Sequence, residues 1–204
     1  GWNDGTEQDI FTKDELIEKF SLDRVQKSGA RFDEQRLLWL NGQWIRRLEL
    51  DDLFERIKSF WGEAGAKATA EKQKQVLSLV QDRLKTLADL PAASEYFFAR
   101  PAPNLEMISS NKQLKKLDQS EISQLLETII EDFQKLAEEQ WDPENIQSSL
   151  NNLLEKTGTK PGILFQLIRI CATWAPFSPQ LNDTLATLGK SETIARLQEA
   201  KQLC

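Results

Sequence analysis

The chain contains no histidine, and that one absence removes a large share of enzyme chemistry. Imidazole is the side chain that exchanges a proton near neutral pH, so Ser-His-Asp and Cys-His arrangements and any imidazole acid–base step are excluded. Cysteine is nearly as scarce: Cys171 lies in an apolar run and Cys204 is the last residue, with no C-x-x-C spacing. Two separated thiols without imidazole argue against zinc, and no other metal site is expected. No apolar run approaches the roughly 18 residues of a membrane span. Gly1-Trp2-Asn3-Asp4-Gly5 has neither the apolar stretch of a secretion signal nor the basic character of a targeting peptide. The expectation is a soluble, cytoplasmic protein with no membrane partner.

What remains is enough for a real core, since 204 residues normally form one or two domains. A net charge of −6 argues at first against a nucleic-acid partner, but the charge is unevenly spread. Residues 118–159 hold ten acidic against two basic side chains, while 61–117 and 160–204 carry +3 and +2 and residues 1–60 carry −3. Such a chain can touch RNA over limited surfaces and keep its acidic face turned away from phosphate.

Hydrophobic periodicity predicts an all-α fold. At 100° per residue, Leu37, Leu40, Trp44, Ile45 and Leu48 share an arc with Asn41 at its centre, and Asp33 stands where an N-cap belongs. Arg36, Trp39, Gln43, Arg46 and Arg47 fall opposite. That strip suits a polyanion; it equally suits a surface helix whose arginines pair with nearby acids. Asn41 is expected to tie the helix to a loop backbone. Thr12 and Glu15 form a capping box opening a short helix to Phe20, and Ser21 caps a further turn. A basic loop, Lys27-Ser28-Gly29-Ala30-Arg31, then leads on; Lys27 and Arg31 are candidates for phosphate contact or plain solvated charges.

One helix is expected over residues 50 to about 64, with Gly62 and Gly65 as stop signals, and a long one from Thr69 to about 88. On the latter Arg83 sits at the edge of a stripe of Val76, Leu79, Val80, Leu84 and Leu87, half-covered by leucines and with no acid within helical reach. An unpaired buried charge costs several kcal/mol, so Arg83 needs a partner from elsewhere in the fold or from a ligand. Residues 91–100 form a corner that Pro101-Ala102-Pro103 breaks. Asp118 and Glu121 open another long helix, and Asp142-Pro143 opens one that Gly158 closes.

Residues 161 to about 173 are apolar nearly all round, with Gln166, Arg169 and Thr173 as a single polar stripe. Arg169 again lacks an acid at i±3 or i±4. It is a candidate to read an unstacked base, with an internal network under the next loop as the competing reading. Ser178-Pro179 is expected to cap a helix from near Gln180, Gly189 to end it and Ser191 to cap the last.

Gly1-Trp2, Ile10-Phe11-Thr12, Glu15-Leu16-Ile17, Phe20-Ser21-Leu22-Asp23-Arg24-Val25, Ser28-Gly29-Ala30-Arg31-Phe32-Asp33, Leu38-Trp39-Leu40-Asn41 and Ile45-Arg46 come in an order and spacing that resembles bacterial glutamyl-tRNA synthetases beyond their active site. The likeness continues more thinly to the C-terminus. The family's HIGH-type and KMSKS-type motifs are absent, and the first could not exist without histidine. The resemblance therefore implies a part of a class I aminoacyl-tRNA synthetase lacking the catalytic domain and inactive alone. It implies a stem-contact remnant at 1–47 and two helical anticodon-binding subdomains at 48–100 and 101–204. ATP and Mg2+ would serve the full-length enzyme, with no cofactor here.

By the same resemblance Arg83 matches the arginine reading the third anticodon base and Arg169 the one contacting the first. Ser178, Pro179 and Leu181 match further anticodon contacts, and Lys27, Arg31, Arg36, Arg46 and Arg47 are candidates for the tRNA backbone. The partners implied are tRNA-Glu, with tRNA-Gln open, and the catalytic domain of the same polypeptide, in a monomer. One position departs: where the family usually follows the threonine with glycine, this chain has Thr173-Trp174. An indole is not expected to copy glycine's backbone freedom, so either the loop is rebuilt or Trp174 offers a surface to a base. A non-discriminating synthetase that also charges tRNA-Gln, and a helical scaffold without RNA binding, are the alternative functions.

Overall fold

The computed structural model describes residues 1–204 except Ser28, Ala30 and Pro176, so two residues of the expected basic loop, Ser28 and Ala30, lie outside the described residues. Among the described residues the chain is helical and without strands. In order, the α-helices are α1 (Lys13–Lys19), α2 (Glu34–Arg47), α3 (Leu50–Ile57), α4 (Glu63–Ala66), α5 (Ala70–Val80), α6 (Leu90–Ser94), α7 (Glu106–Ser109), α8 (Gln119–Lys135), α9 (Pro143–Thr157), α10 (Pro161–Thr173), α11 (Leu181–Leu188) and α12 (Lys190–Leu203). None is long and apolar enough to cross a membrane.

Local capping chemistry fixes where five of these begin. Thr12 accepts from the Glu15 amide and the Glu15 carboxylate accepts from the Thr12 amide, so two orphan donors of α1 are satisfied. Asp118 and Glu121 repeat the box at α8, Asp33, Thr69 and Asp142 cap α2, α5 and α9 by accepting from first-turn amides, and Gly158 closes α9 in the left-handed region at φ +63°.

The expected helix over 50–64 is shorter. α3 runs into a 3-10 turn ending at Phe60, the chain breaks at Trp61, and Gly62 opens α4 instead of stopping a helix. The Glu95 carboxylate accepts from the Ala64 amide at 3.1 Å, and a Cβ on Gly62 would stand 2.0 Å from that carboxylate.

The expected helix over 69–88 also breaks. After α5 come a 3-10 turn, Gln81–Arg83, an extended Leu84, and a second turn, Leu87–Asp89. Helix α2 is the cause. Gln81 donates to the carbonyls of Ile45 and Leu48 at 2.9 and 2.8 Å, Arg46 donates to the Asp82 carbonyl at 2.9 Å, and Asn41 donates to the Lys85 carbonyl. Asp89 takes the amides of Lys85 and Thr86 at 3.0 and 2.8 Å. Carbonyls at 82 and 85 and amides at 85 and 86 thus find partners without continuing the helix. Gly42 allows the approach, since a Cβ there would lie 3.2 Å from the Leu84 carbonyl.

That docking rotates α2 away from its expected apolar arc. Gly42 and Ile45 are buried, while Leu37 and Trp44 are exposed and Leu40 and Leu48 half-buried. Two hydrophobic clusters result. The first joins Ile45 of α2 to Leu53, Phe54 and Ile57 of α3, Val76, Leu77 and Val80 of α5, and Leu84, Leu90, Tyr96 and Phe97. The second gathers α7 to α12 around Leu126, Ile129, Phe133, Leu150, Leu167 and Leu197. Ala175, just after α10, belongs to the first cluster and Leu188, at the end of α11, touches both, so these two places bridge them.

Polar groups close the seam. Lys72 on α5 donates to the Thr187 carbonyl on α11, and burial lowers its pKa. Arg196, 2% exposed, donates to the Ala172 carbonyl and to Glu192 at 2.7 Å each and to the Ala99 carbonyl at 3.4 Å. Arg100 grips the same Glu192 through two bonds of 3.0 and 2.7 Å.

Candidate nucleic-acid interface

Because Arg83 ends a 3-10 turn instead of sitting mid-helix, it is exposed and not half-covered by leucines. It makes no ion pair among the described residues. Arg169, on the polar stripe of α10, is half-buried. Its Nη1 donates to the Ser178 carbonyl at 3.0 Å, to the Pro179 carbonyl at 2.7 Å and to the Ser178 hydroxyl. Burial, and then the positive charge of Arg83, lower its pKa.

Both arginines line one open cleft of about 640 Å3, together with Lys112, the neutral polar side chains Ser110, Asn111, Gln113, Gln166 and Ser178, and Met107, Ile170 and Phe177. No carboxylate is among those lining residues. Arg83 comes from the first hydrophobic unit and Gln166, Arg169 and Ser178 from the second, so only the folded chain makes the site. A second cleft continues from it through Arg83, Phe177 and Ser178. Arg46, Lys85, Asp82, Asp89, Ala92, Ala93 and Tyr96 complete its walls. Burial raises the pKa of Tyr96, while the charges of Arg83 and Arg169 pull it the other way.

Other expected contacts are not available as side chains. Thr173 is buried and donates to the Arg169 carbonyl at 2.8 Å; it holds the helix end and offers nothing to a base. Trp174 does what an indole was not expected to do: it takes the left-handed conformation, φ +43° and ψ +37°, and ends α10. Its ring is buried in the second cluster, so it is no stacking surface. Burial of roughly a full indole outweighs the ~1–2 kcal/mol backbone cost. Pro179 and Leu181 are buried as well.

Ser178 does not cap α11. Its hydroxyl accepts from Arg169 and donates to the Pro179 carbonyl at 3.2 Å, and Gln180 occupies the cap without a side-chain bond. Gly189 likewise stands before α12 where Ser191 was expected.

Of the candidate backbone contacts, Arg46 lines the second cleft, and Lys27, Arg31, Arg36 and Arg47 line neither. Lys27 and Arg31 are exposed, Arg36 pairs with Asp9, and Arg47 lies 5.5 Å over the Trp44 ring. Sequence reasoning missed Asn111, Lys112, Gln113, Tyr96 and Phe177. The polar run 111–113 after a proline break was a readable signal; Gln113 reaches the cleft because Gly162 has no Cβ, which would lie 2.4 Å from the Gln113 amide oxygen.

Residues 52–201 match the family model described as an anticodon binding domain. The chain belongs to the anticodon binding domain family. Over 98% of its length this anticodon binding domain chain is 36% identical to the glutamate–tRNA ligase of Roseiflexus sp. (strain RS-1), of which it spans 40%. Against the glutamate–tRNA ligase of Bacillus subtilis (strain 168) the identity is 30%, over 97% of this chain and 41% of that one. A solved glutamate tRNA ligase from Elizabethkingia meningosepticum CCUG26117, in complex with its amino acid, superposes with a TM-score of 0.81 at 26% identity, covering 99% of this chain and 39% of that one. The all-α reading and the resemblance to the C-terminal part of glutamyl-tRNA synthetases therefore hold along nearly the whole chain. The chain spans about 40% of the length of the curated relatives it matches.

Proposed function

We propose that the chain is the tRNA-binding part of a glutamate–tRNA ligase and that the cleft between its two hydrophobic units reads the anticodon loop. The observation that carries this reading is the cleft's composition: three cations, five neutral hydrogen-bonding side chains and no carboxylate, in a chain of net charge −6. Unstacked bases present acceptors and donors along their edges, and a guanidinium answers them with a rigid fork of donors. Arg169, pinned through Nη1 to two carbonyls, holds its remaining donors in a fixed direction. Following the family resemblance, Arg83 reads the third anticodon base and Arg169 the first, with Gln166 beside it.

The ligand of this reading is tRNA-Glu, bound by a monomer in the cytoplasm. Chemistry on glutamate and ATP, with Mg2+, belongs to a catalytic domain of the same polypeptide. A stem-contact part at 1–47 and helical parts at 48–100 and 101–204 belong to the same proposal, as do Lys27, Arg31, Arg36, Arg46 and Arg47 as contacts to the RNA backbone.

The test is a filter-binding titration of tRNA-Glu and tRNA-Gln at about 50 and about 200 mM salt, where phosphate contacts impose a steep loss of affinity. The expected result is a salt-dependent preference for tRNA-Glu that narrows in Arg83→Gln. Equal affinity for both tRNAs would favour a non-discriminating parent. No binding at either salt would leave a helical scaffold and end the RNA reading.

A further inference from the structure

We infer that Phe177 is a stacking platform for one unpaired nucleobase of the bound RNA, an inference that rests on the tRNA-binding reading above. Beyond residue 44, the large apolar side chains that stay exposed among the described residues are Leu105 at 39%, Leu203 at 43% and Phe177 at 75%. Phe177 is the aromatic one, and a phenyl ring left in water forgoes the burial that the rest of 48–204 obtains for its rings. Its place is specific: Phe177, Arg83 and Ser178 are the residues common to both clefts. The ring stands where the acid-free cleft of Arg83 and Arg169 opens into that of Arg46 and Lys85, whose charge Asp82 and Asp89 partly offset, so the backbone's cations are mainly on the first side and the ring offers one flat apolar face for a base.

Described residues on both sides of it are held. Trp174 is anchored in the second core, and the carbonyls of Ser178 and Pro179 are held by Arg169. A second observation points to a ligand at the same place. Tyr96 lines the adjoining cleft, is 4% exposed, and its hydroxyl has no hydrogen-bond partner among the described residues. A buried phenol without a partner costs free energy unless something completes it. A base lying on Phe177 brings a polar edge towards that cleft.

The test uses this 204-residue chain and a tRNA-Glu anticodon stem-loop carrying 2-aminopurine at successive loop positions. Its fluorescence is quenched when the base stacks. Phe177→Ala and Phe177→Leu are expected to weaken binding by about 5- to 150-fold and to remove the quench at one position, while Phe177→Trp keeps both. Thermal melts check that the exposed site leaves the fold intact. If Phe177→Ala or Phe177→Leu binds and quenches like the parent while Arg83→Gln still weakens binding, the stacking role is overturned and the RNA reading stands. If the parent itself does not bind the stem-loop, both fall.

Discussion

Arg196 in the seam and Arg169 in the cleft are arginines of neighbouring helices, and their surroundings are opposite. Arg196 has Glu192 one turn before it, two carbonyls completing its fork, and Arg100 sharing the carboxylate. Arg169 has no acid on its own helix, bonds only to a serine and two carbonyls, and faces Arg83 across open space. A guanidinium saturated by an internal carboxylate joins elements of the fold. One whose neighbours are carbonyls and another guanidinium keeps donors and charge for a ligand. The acid one turn away marks the first kind already in the sequence.

The largest expected effect breaks the seam. Arg196→Ala should cost about 2–4 kcal/mol in urea denaturation, because the buried Ala172 carbonyl loses its donor, the Ala99 carbonyl loses its 3.4 Å bond and Glu192 loses one of two partners. Trp174→Gly removes the left-handed strain but empties an indole's volume from the core; a net loss of about 2 kcal/mol is expected by the same measurement. A gain in stability would show that the strain, not the packing, dominates there.

At the cleft the same experiments should give the opposite signature. Arg83→Gln is expected to lose about 1–3 kcal/mol of tRNA-Glu binding while unfolding changes by less than about 0.5 kcal/mol. A comparable loss of stability would make Arg83 structural and dissolve the contrast.

pH separates the regions as well. Arg100 first, and then Arg196, hold the Glu192 carboxyl at about 2 against its ordinary 4.5. A depressed folded pKa means stability present above 4.5 and lost as pH falls from there towards about 2. Glu192→Gln should flatten the stability slope in that window. The smallest effect is expected for Arg47→Ala, whose exposed stacking over Trp44 lines neither cleft: under about 0.5 kcal/mol in stability.

How much was readable follows from how far each cause reaches along the chain. Thr12 with Glu15, Asp33, Asp118 with Glu121, and Asp142 with Pro143 act within one turn, so their helices could be placed by eye. Asn41 was rightly expected to bind a loop backbone, because an amide on an apolar arc needs a partner somewhere. Its partner, the Lys85 carbonyl, is 44 positions away, and nothing local announces that docking at 81–89 ends α5 early. The leucine cover assigned to Arg83 depended on that missing helix. Its solvent exposure is a consequence of the break.

The sequence by itself determined an all-α chain, most helix starts, the acidic block on 118–159, and two arginines with no acid at i±3 or i±4, since each depends on residues a few positions apart. Only the tertiary structure decided that those arginines share one acid-free cleft, that Trp174 is buried in a left-handed turn, and that Phe177 is left in the open. Each of these depends on which distant backbone groups meet, and a periodicity of 3.6 residues carries no information about that.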